Sequence, residues 1–263
     1  MSGVRVLAVR KRFSRTGPWV LDGVDAELAA AAVTLVVGRN GSGKSTLLRT
    51  VAGASTPSAG RVVRPPGPVG YVPERLPADI RMTARRYVRH MGRLRGLPGA
   101  LVASRSAELF ERLGLEPGPE WPVGELSKGN SQKVALTQAL LGPTRVLVLD
   151  EPYGGLDPAA AQALTGLVLA ARDDGTAVVL SGHSPEVFPA ADAVLELAGG
   201  QLGPAVAPRI RLVLRRVAPS AVPPADGTWD EGRELLVVVT AAPDAVLRAA
   251  LAGGWSFVEG VRS

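Results

Sequence analysis

The sequence predicts an α/β domain built around a parallel sheet, with a small α+β appendage behind it. Three observations carry this. Short, mostly apolar runs alternate with helix-period segments, as in the buried-strand run Val33-Thr34-Leu35-Val36-Val37 and the fully apolar run Val146 to Leu149. Continuous rather than alternating apolar runs mark strands buried on both faces, the habit of parallel sheets flanked by helices. After Gly199-Gly200 and Pro204 the pattern changes to strand alternation, which divides the chain into residues 1–204 and 205–263.

The elements follow in order. Val4, Val6, Leu7 and Val9, then Val20, Leu21, Val24 and Leu28, alternate in strand fashion. The strand Val33–Val37 runs into a Gly-rich turn and a helical pattern from Ser45 to Val51. Pro65, Pro66 and Pro68 break the chain before the short strand Val69–Val72. Residues 76–125 read as helices, Met82 to Leu94 and Leu101 to Leu113, the second closed by Gly114. Another helix runs from Ser127 to Leu141, stopped by Gly142-Pro143. The strand Val146–Leu149, a helix from Ala159 to Ala171 and a strand from Ala177 to Leu180 complete the larger part. In the appendage, Ile210, Leu212 and Leu214 alternate with Arg209, Arg211 and Arg215. A loop with Pro219, Pro223 and Pro224, a strand Leu235–Thr240, a helix Pro243–Ala252 and a strand Trp255–Val261 give a β-β-α-β unit.

Composition narrows the function classes. Of 263 residues, 46% are hydrophobic and 21% charged, which excludes a disordered chain. The uncharged stretch Leu28–Gly38 has eleven residues, short of the ~18–20 that span a bilayer. No apolar segment follows the first basic residue near Met1, so no signal peptide is expected. There is no cysteine, hence neither a disulfide scaffold nor a cysteine-based zinc site. The expected setting is cytoplasmic.

Net charge is +6, and its excess is local: Arg61 to Arg112 holds eleven arginines against four acids. This stretch is either a solvated helical face or a surface for anionic partners, lipid headgroups or nucleic acid. Aromatic side chains that would stack on bases are scarce there, which argues against nucleic acid.

The chemistry begins at Gly38-Arg39-Asn40-Gly41-Ser42-Gly43-Lys44-Ser45, which fits the phosphate-binding loop G-x-x-x-x-G-K-[ST] in its strand–loop–helix setting. Backbone N–H groups of such a loop turn toward a polyanion, and the helix N-terminus adds partial positive charge. Lys44 would reach the β- and γ-phosphates, the Ser45 hydroxyl would ligate Mg²⁺, and Thr46 continues the ATP-binding run. The second half is Val146-Leu147-Val148-Leu149-Asp150-Glu151-Pro152, an apolar strand ending in two acids. Asp150 suits Mg²⁺, and Glu151 suits polarising the attacking water.

Further motifs make a resemblance specific. Leu126-Ser127-Lys128-Gly129-Asn130-Ser131-Gln132-Lys133 resembles the signature sequence of ABC-type ATPases, about twenty residues before Asp150. Gly155-Leu156-Asp157-Pro158 resembles their D-loop, and His183 in Ser181-Gly182-His183 resembles their switch histidine. The likeness covers the larger part of the chain and implies a RecA-like core, an antiparallel N-terminal subdomain and a helical subdomain at about residues 76–125. It implies head-to-tail pairing of two ATPase domains, as a homodimer or with a related ATPase. Each ATP would lie between one phosphate loop and the other copy's Ser127, Lys128, Gly129 and Asn130. His183 would position the γ-phosphate and water, Glu151 and Lys44 would be catalytic, and Asp157 would link the two sites. Phe13 falls where the family stacks an aromatic on adenine; the alternatives are a core Phe, with Trp19 as the stacker. Three residues depart from the family pattern. Glu74 stands where a Mg²⁺-touching glutamine is usual, Lys128 replaces a glycine, and Asn130 replaces a glutamine. Lys128 either sits near the neighbouring nucleotide or points to solvent.

The resemblance also implies that the chain powers transport through separate transmembrane subunits, at the inner face of the cell membrane. Likeness of the appendage to those on multidrug and antibiotic efflux ATPases favours export, with import as the alternative. A soluble ABC ATPase acting on ribosomes or nucleic acid fits less well. Only one phosphate loop is present, and Lys44 and Ser127 are 83 positions apart, too close for a long coiled-coil insert. A non-hydrolysing regulator is disfavoured by the intact catalytic set, and no nucleic-acid partner is expected.

Overall fold

A computed structural model describes residues 3–205, 210–217, 225, 227–230, 235–240 and 243–262. The chain divides into two compact units, Met1–Ala205 and Val206–Ser263. The first unit is organised by a six-stranded sheet. Its strands are β3 (Ala32–Val37), β5 (Val69–Val72), β6 (Val146–Leu149), β7 (Ala177–Gly182), β8 (Ala193–Ala198) and β9 (Gln201–Pro204), in the order β5-β6-β7-β3-β8-β9. All neighbours are parallel except β9, which returns on β8 as an antiparallel hairpin.

Both faces of the central strands are covered, so their runs are almost wholly apolar, broken only by the buried hydroxyls of Thr34 and Ser181. Val33, Leu35 and Val37 of β3, Leu147 and Leu149 of β6, and Leu180 of β7 face one core. The helices α3 (Gly99–Arg112), α4 (Lys128–Ala139) and α5 (Pro158–Asp173) supply Leu109, Leu136 and Leu164 to it. Val36, Val146, Val148 and Val179 face the other core, with Leu47, Leu48 and Val51 of α1 (Lys44–Ala52) and Val4 and Val6 of β1 (Val4–Lys11). Every residue of β6 is fully buried, and each such side chain contributes about 1.5–3 kcal/mol.

A second, antiparallel sheet pairs β1 with β2 (Leu21–Leu28) on one side and β4 (Ala59–Val63) on the other. The sequence pattern does not announce β4, because it is an edge strand whose first three residues, Ala59, Gly60 and Arg61, are exposed. Between the phosphate loop and α4 lies a helical region with α2 (Ala84–Leu94) and α3. Its own core joins Val88, Val102, Phe110 and Val123 to Val134 of α4. Helix α2 starts two residues later than its periodicity suggests. Thr83 caps it, accepting from the Arg86 amide at 3.3 Å.

The second unit carries one more strand than expected. β10 (Ile210–Arg216), β11 (Thr228–Asp230), β12 (Leu235–Thr240) and β13 (Trp255–Arg262) form an antiparallel sheet in the order β11-β12-β10-β13, with α6 (Pro243–Ala252) between the last two strands in sequence. The unit is thus β-β-β-α-β; β11 has only three residues, too few for a periodic signal. Leu212, Leu214, Leu236, Val238, Ala250 and Trp255 form its core. The proline loop at 219–224 and Arg209 lie outside the described residues. Among the described residues no helix is long and apolar enough to cross a membrane.

Candidate functional site

The parallel sheet brings the motifs to one edge. Val37 pairs with Gly182 and Leu149 with Leu180, so Gly38, Asp150 and His183 leave three neighbouring strands at their C-terminal ends. From β3 the chain turns through Gly38–Gly43, with the Ser42 amide donating to the Arg39 carbonyl at 3.1 Å. Gly43 caps α1 at φ +102, a backbone region that side chains rarely adopt, and no side chain caps the helix. The first-turn N–H groups of α1 are therefore presented for an anion.

Lys44 is buried at 5% exposure. Its ammonium donates to the carbonyls of Gly38 at 2.8 Å and Arg39 at 3.3 Å, and lies 3.7 Å from Glu151 Oε1. These contacts hold the cation at the mouth of the loop. A cavity of about 380 Å³ opens there, bounded by Asn40, Gly41 and Gly43 of the loop, Lys44, Ser45 and Thr46 of α1, Val20, and Glu74 and Glu151. A larger cavity, about 600 Å³, lies between α3 and the opposite end of the sheet, bounded in part by Arg105, Arg112 and Arg145, and contains none of these residues.

The two acids are held differently. Asp150 is almost wholly buried; its amide donates to Val72 O at 2.9 Å and its Oδ1 accepts from Ser181 Oγ at 2.8 Å. Burial pushes its carboxyl above the usual range; hydrogen bonds from Ser181 and Ser45 oppose this, and the charges of Glu74 and Glu151 add to it. Tyr71, beside it, is pushed up to about 12, chiefly by burial and then by the Asp150 charge. Glu151 sits at φ +45, an unusual conformation for a non-glycine residue, with its amide donating to Ser181 Oγ at 2.9 Å. Such outliers concentrate where function over-determines the backbone.

The donor set fits a hard cation bound together with phosphates. Ser45, Asp150 and Glu74 offer oxygens only, and the mutual repulsion of Asp150, Glu74 and Glu151 favours a positive charge among them. Among the described residues no group of three His, Cys, Asp or Glu side chains forms a complete metal cage.

Other expected residues lie outside the cavity. His183 is exposed just beyond β7. Phe13 is 69% exposed, which rules out the core alternative, and the Lys11 ammonium lies 5.5 Å from its ring centre. Trp19 is half-buried, with the guanidinium groups of Arg12 and Arg10 at 4.5 and 5.3 Å from its ring.

The signature segment forms the start of α4. Ser127 caps it, accepting from the amide and side chain of Asn130 at 3.3 and 3.2 Å, while Asn130 Oδ1 accepts from the Glu116 amide at 3.1 Å. Lys128 is exposed and runs beside Gly154 and Gly155. Gly129 lies so close to this turn that a Cβ there would stand 2.2 Å from Gly155 O. Asp157 is engaged within the chain: Oδ1 accepts from the Ala160 amide at 2.8 Å, capping α5, and Oδ2 pairs with Lys133 at 2.7 Å. The Lys133 hydrogen bond is the main reason its carboxyl is held below the usual range.

Two contacts are not legible from the motifs that contain their residues. Ser181 bridges the acids from β7; its only sequence signal is a hydroxyl in an otherwise apolar strand. Lys133, buried at 6%, ties α4 to Asp157 and to Gly114 O at 2.8 Å, a partnership that spacing does not reveal.

Residues 21–154 match the family model described as ABC transporter. A zinc import ATP-binding protein of Cereibacter sphaeroides is 37% identical over 176 residues, covering 65% of this chain and 70% of that protein. An aliphatic sulfonates import ATP-binding protein of Rhodopseudomonas palustris is 35% identical over 209 residues, covering 74% and 70%. Among solved structures, an ATP-binding subunit of an ABC transporter superposes with a TM-score of 0.70 at 24% identity, over 77% of this chain and 90% of that one. A dimeric post-hydrolysis ATP-binding cassette with ADP and Pi gives 0.66 at 22% identity, over 76% and 98%.

Proposed function

The chain belongs to the ABC transporter family of ATP-binding, ATP-hydrolysing proteins, and from that premise we propose that the Lys44–Glu151 cavity is its hydrolytic site and that transport runs through separate membrane subunits. One observation supports this above the rest: a buried lysine at the N-terminus of α1, aimed across 3.7 Å at the carboxylate that follows the buried Asp150.

In this reading Lys44 and the α1 amides bind the β- and γ-phosphates, and Lys44 exchanges its loop carbonyls for phosphate oxygens. Ser45, Asp150 and Glu74 would hold Mg²⁺, which when bound offsets charge developing on the transferred phosphoryl group. Glu151 orients and polarises the attacking water, its direction fixed by the Ser181 bond to its amide. His183, at the next strand end, reaches the γ-phosphate side. Phe13, exposed and outside any core, is available to stack on adenine, whereas Trp19 already carries two guanidinium groups.

A second ATPase copy would complete each site with Ser127, Gly129 and Asn130. A dimer is known for a protein of the same fold, in complex with ADP and Pi. Asp157, with both oxygens bonded inside the chain, would serve that interface by anchoring the Gly154–Leu156 turn against α4.

Of the two directions, import is the better supported. The zinc and aliphatic sulfonate relatives are import ATP-binding proteins, and their names lend nothing to the export expected from the appendage. The chain would work at the inner face of the membrane, attached through its membrane subunits. The test is to tag the Glu151→Gln chain, solubilise native membranes with Mg-ATP present and identify what co-purifies. A stoichiometric polytopic membrane protein supports the reading, and a substrate-binding protein with it supports import. Ribosomal proteins or nucleic acid in its place would overturn the reading.

A further inference from the structure

Helix α2 carries a charge pattern that ATP hydrolysis does not use. Its residues Ala84–Leu94 include four arginines and His90 but no acid. Ala84, Val88 and Gly92 bury one side of it. At 3.6 residues per turn, Arg85, Arg89, Arg93 and Arg86 share an arc of roughly 100° that begins beside Gly92 and turns away from the buried face, with His90 beyond. All four arginines are exposed. Arg85 pairs with Glu120, but Arg86, Arg89 and Arg93 have no acidic partner among the described residues.

Adjacent unpaired guanidinium groups repel one another until an anionic surface faces them. Tyr87, the one tyrosine, phenylalanine or tryptophan of the helix, is half-buried, so its ring is not set out for base stacking. We propose that α2 docks the chain directly on the anionic headgroups of a lipid bilayer, Arg86, Arg89 and Arg93 meeting lipid phosphates. This contact goes beyond the transport reading, since it needs neither nucleotide nor membrane subunits.

Co-sedimentation of the purified chain with vesicles tests it, using phosphatidylcholine alone against an equimolar mixture with phosphatidylglycerol. The chain should sediment with the anionic vesicles only, and less so at high salt. Each arginine near such a surface is worth about fivefold in partitioning, so Arg86→Gln/Arg89→Gln/Arg93→Gln should weaken binding on the order of a hundredfold. Arg5→Gln/Arg15→Gln/Arg61→Gln, exposed residues outside α2, removes the same charge and should keep most of the binding. Both variants should retain Mg-ATP hydrolysis, which reports that they fold. Equal losses in the two triple variants would reduce the effect to net charge and overturn the proposal. So would indifference to phosphatidylglycerol, or binding of duplex oligonucleotide through these arginines without vesicle binding. A failed search for membrane subunits leaves this readout untouched.

Discussion

Replacing Ser181 by Ala would separate the two jobs of one buried hydroxyl. It donates to Asp150 Oδ1 at 2.8 Å and accepts from the Glu151 amide at 2.9 Å. Alanine fits the space but leaves the part-buried Glu151 N–H without its acceptor and the buried Asp150 carboxylate with one donor fewer. Each loss costs about 1–3 kcal/mol, the charged one toward the upper end, so the sum is about 3 kcal/mol. For a unit of this size that lowers Tm by about 6–12 °C. A second effect follows from titration. The Ser181 bond opposes the upward push of burial on Asp150, so its removal raises that carboxyl further and moves the acid limb of the ATPase pH profile to higher pH. Thermal unfolding and a pH–rate profile read both effects. A Tm within about 2 °C of the parent, with the acid limb unmoved, would refute the bridging role.

Three other expectations rest on separate contacts. Asp150→Asn removes a charge that burial disfavours. A carboxyl raised in the folded state loses stability as pH climbs from the ordinary value through the raised one, so without Mg²⁺ the variant should have the higher Tm at neutral pH while its ATPase activity collapses. Gly129→Ala would set a Cβ 2.2 Å from Gly155 O, backbone against backbone, and should cost about 1–3 kcal/mol in urea unfolding even without nucleotide. Phe13→Ala should leave Tm unchanged, because the ring is exposed, yet weaken ATP binding by about 5- to 100-fold if the ring stacks on adenine.

The parts of the molecule legible in sequence are those where one local run carries the whole signal. The phosphate loop is contiguous, and β3, β6 and β7 show as nearly continuous apolar runs because both faces of the sheet are covered. β4 gives no such signal, since an exposed edge strand with Gly60 and Arg61 buries little. The β8–β9 hairpin is equally quiet, with Glu196 exposed and Gly203 lacking a side chain. Within the site, Lys44, Asp150 and Glu151 are readable from motif chemistry. Ser181 and the Lys133–Asp157 pair are not, because their roles arise only when β7 lies beside β6 and α4 meets α5. Asn130, which looks like a shortened signature glutamine, is in addition a tether for the Glu116 amide.

The most direct measurement of the central claim is single-turnover Mg-ATP hydrolysis by Glu151→Gln beside the parent chain. The amide keeps the shape of the carboxylate but cannot take a proton from water. Hydrolysis should fall by about 10²- to 10⁴-fold while ATP stays bound. Hydrolysis at the parent rate would contradict the assignment of the Lys44–Glu151 cavity as the site of chemistry.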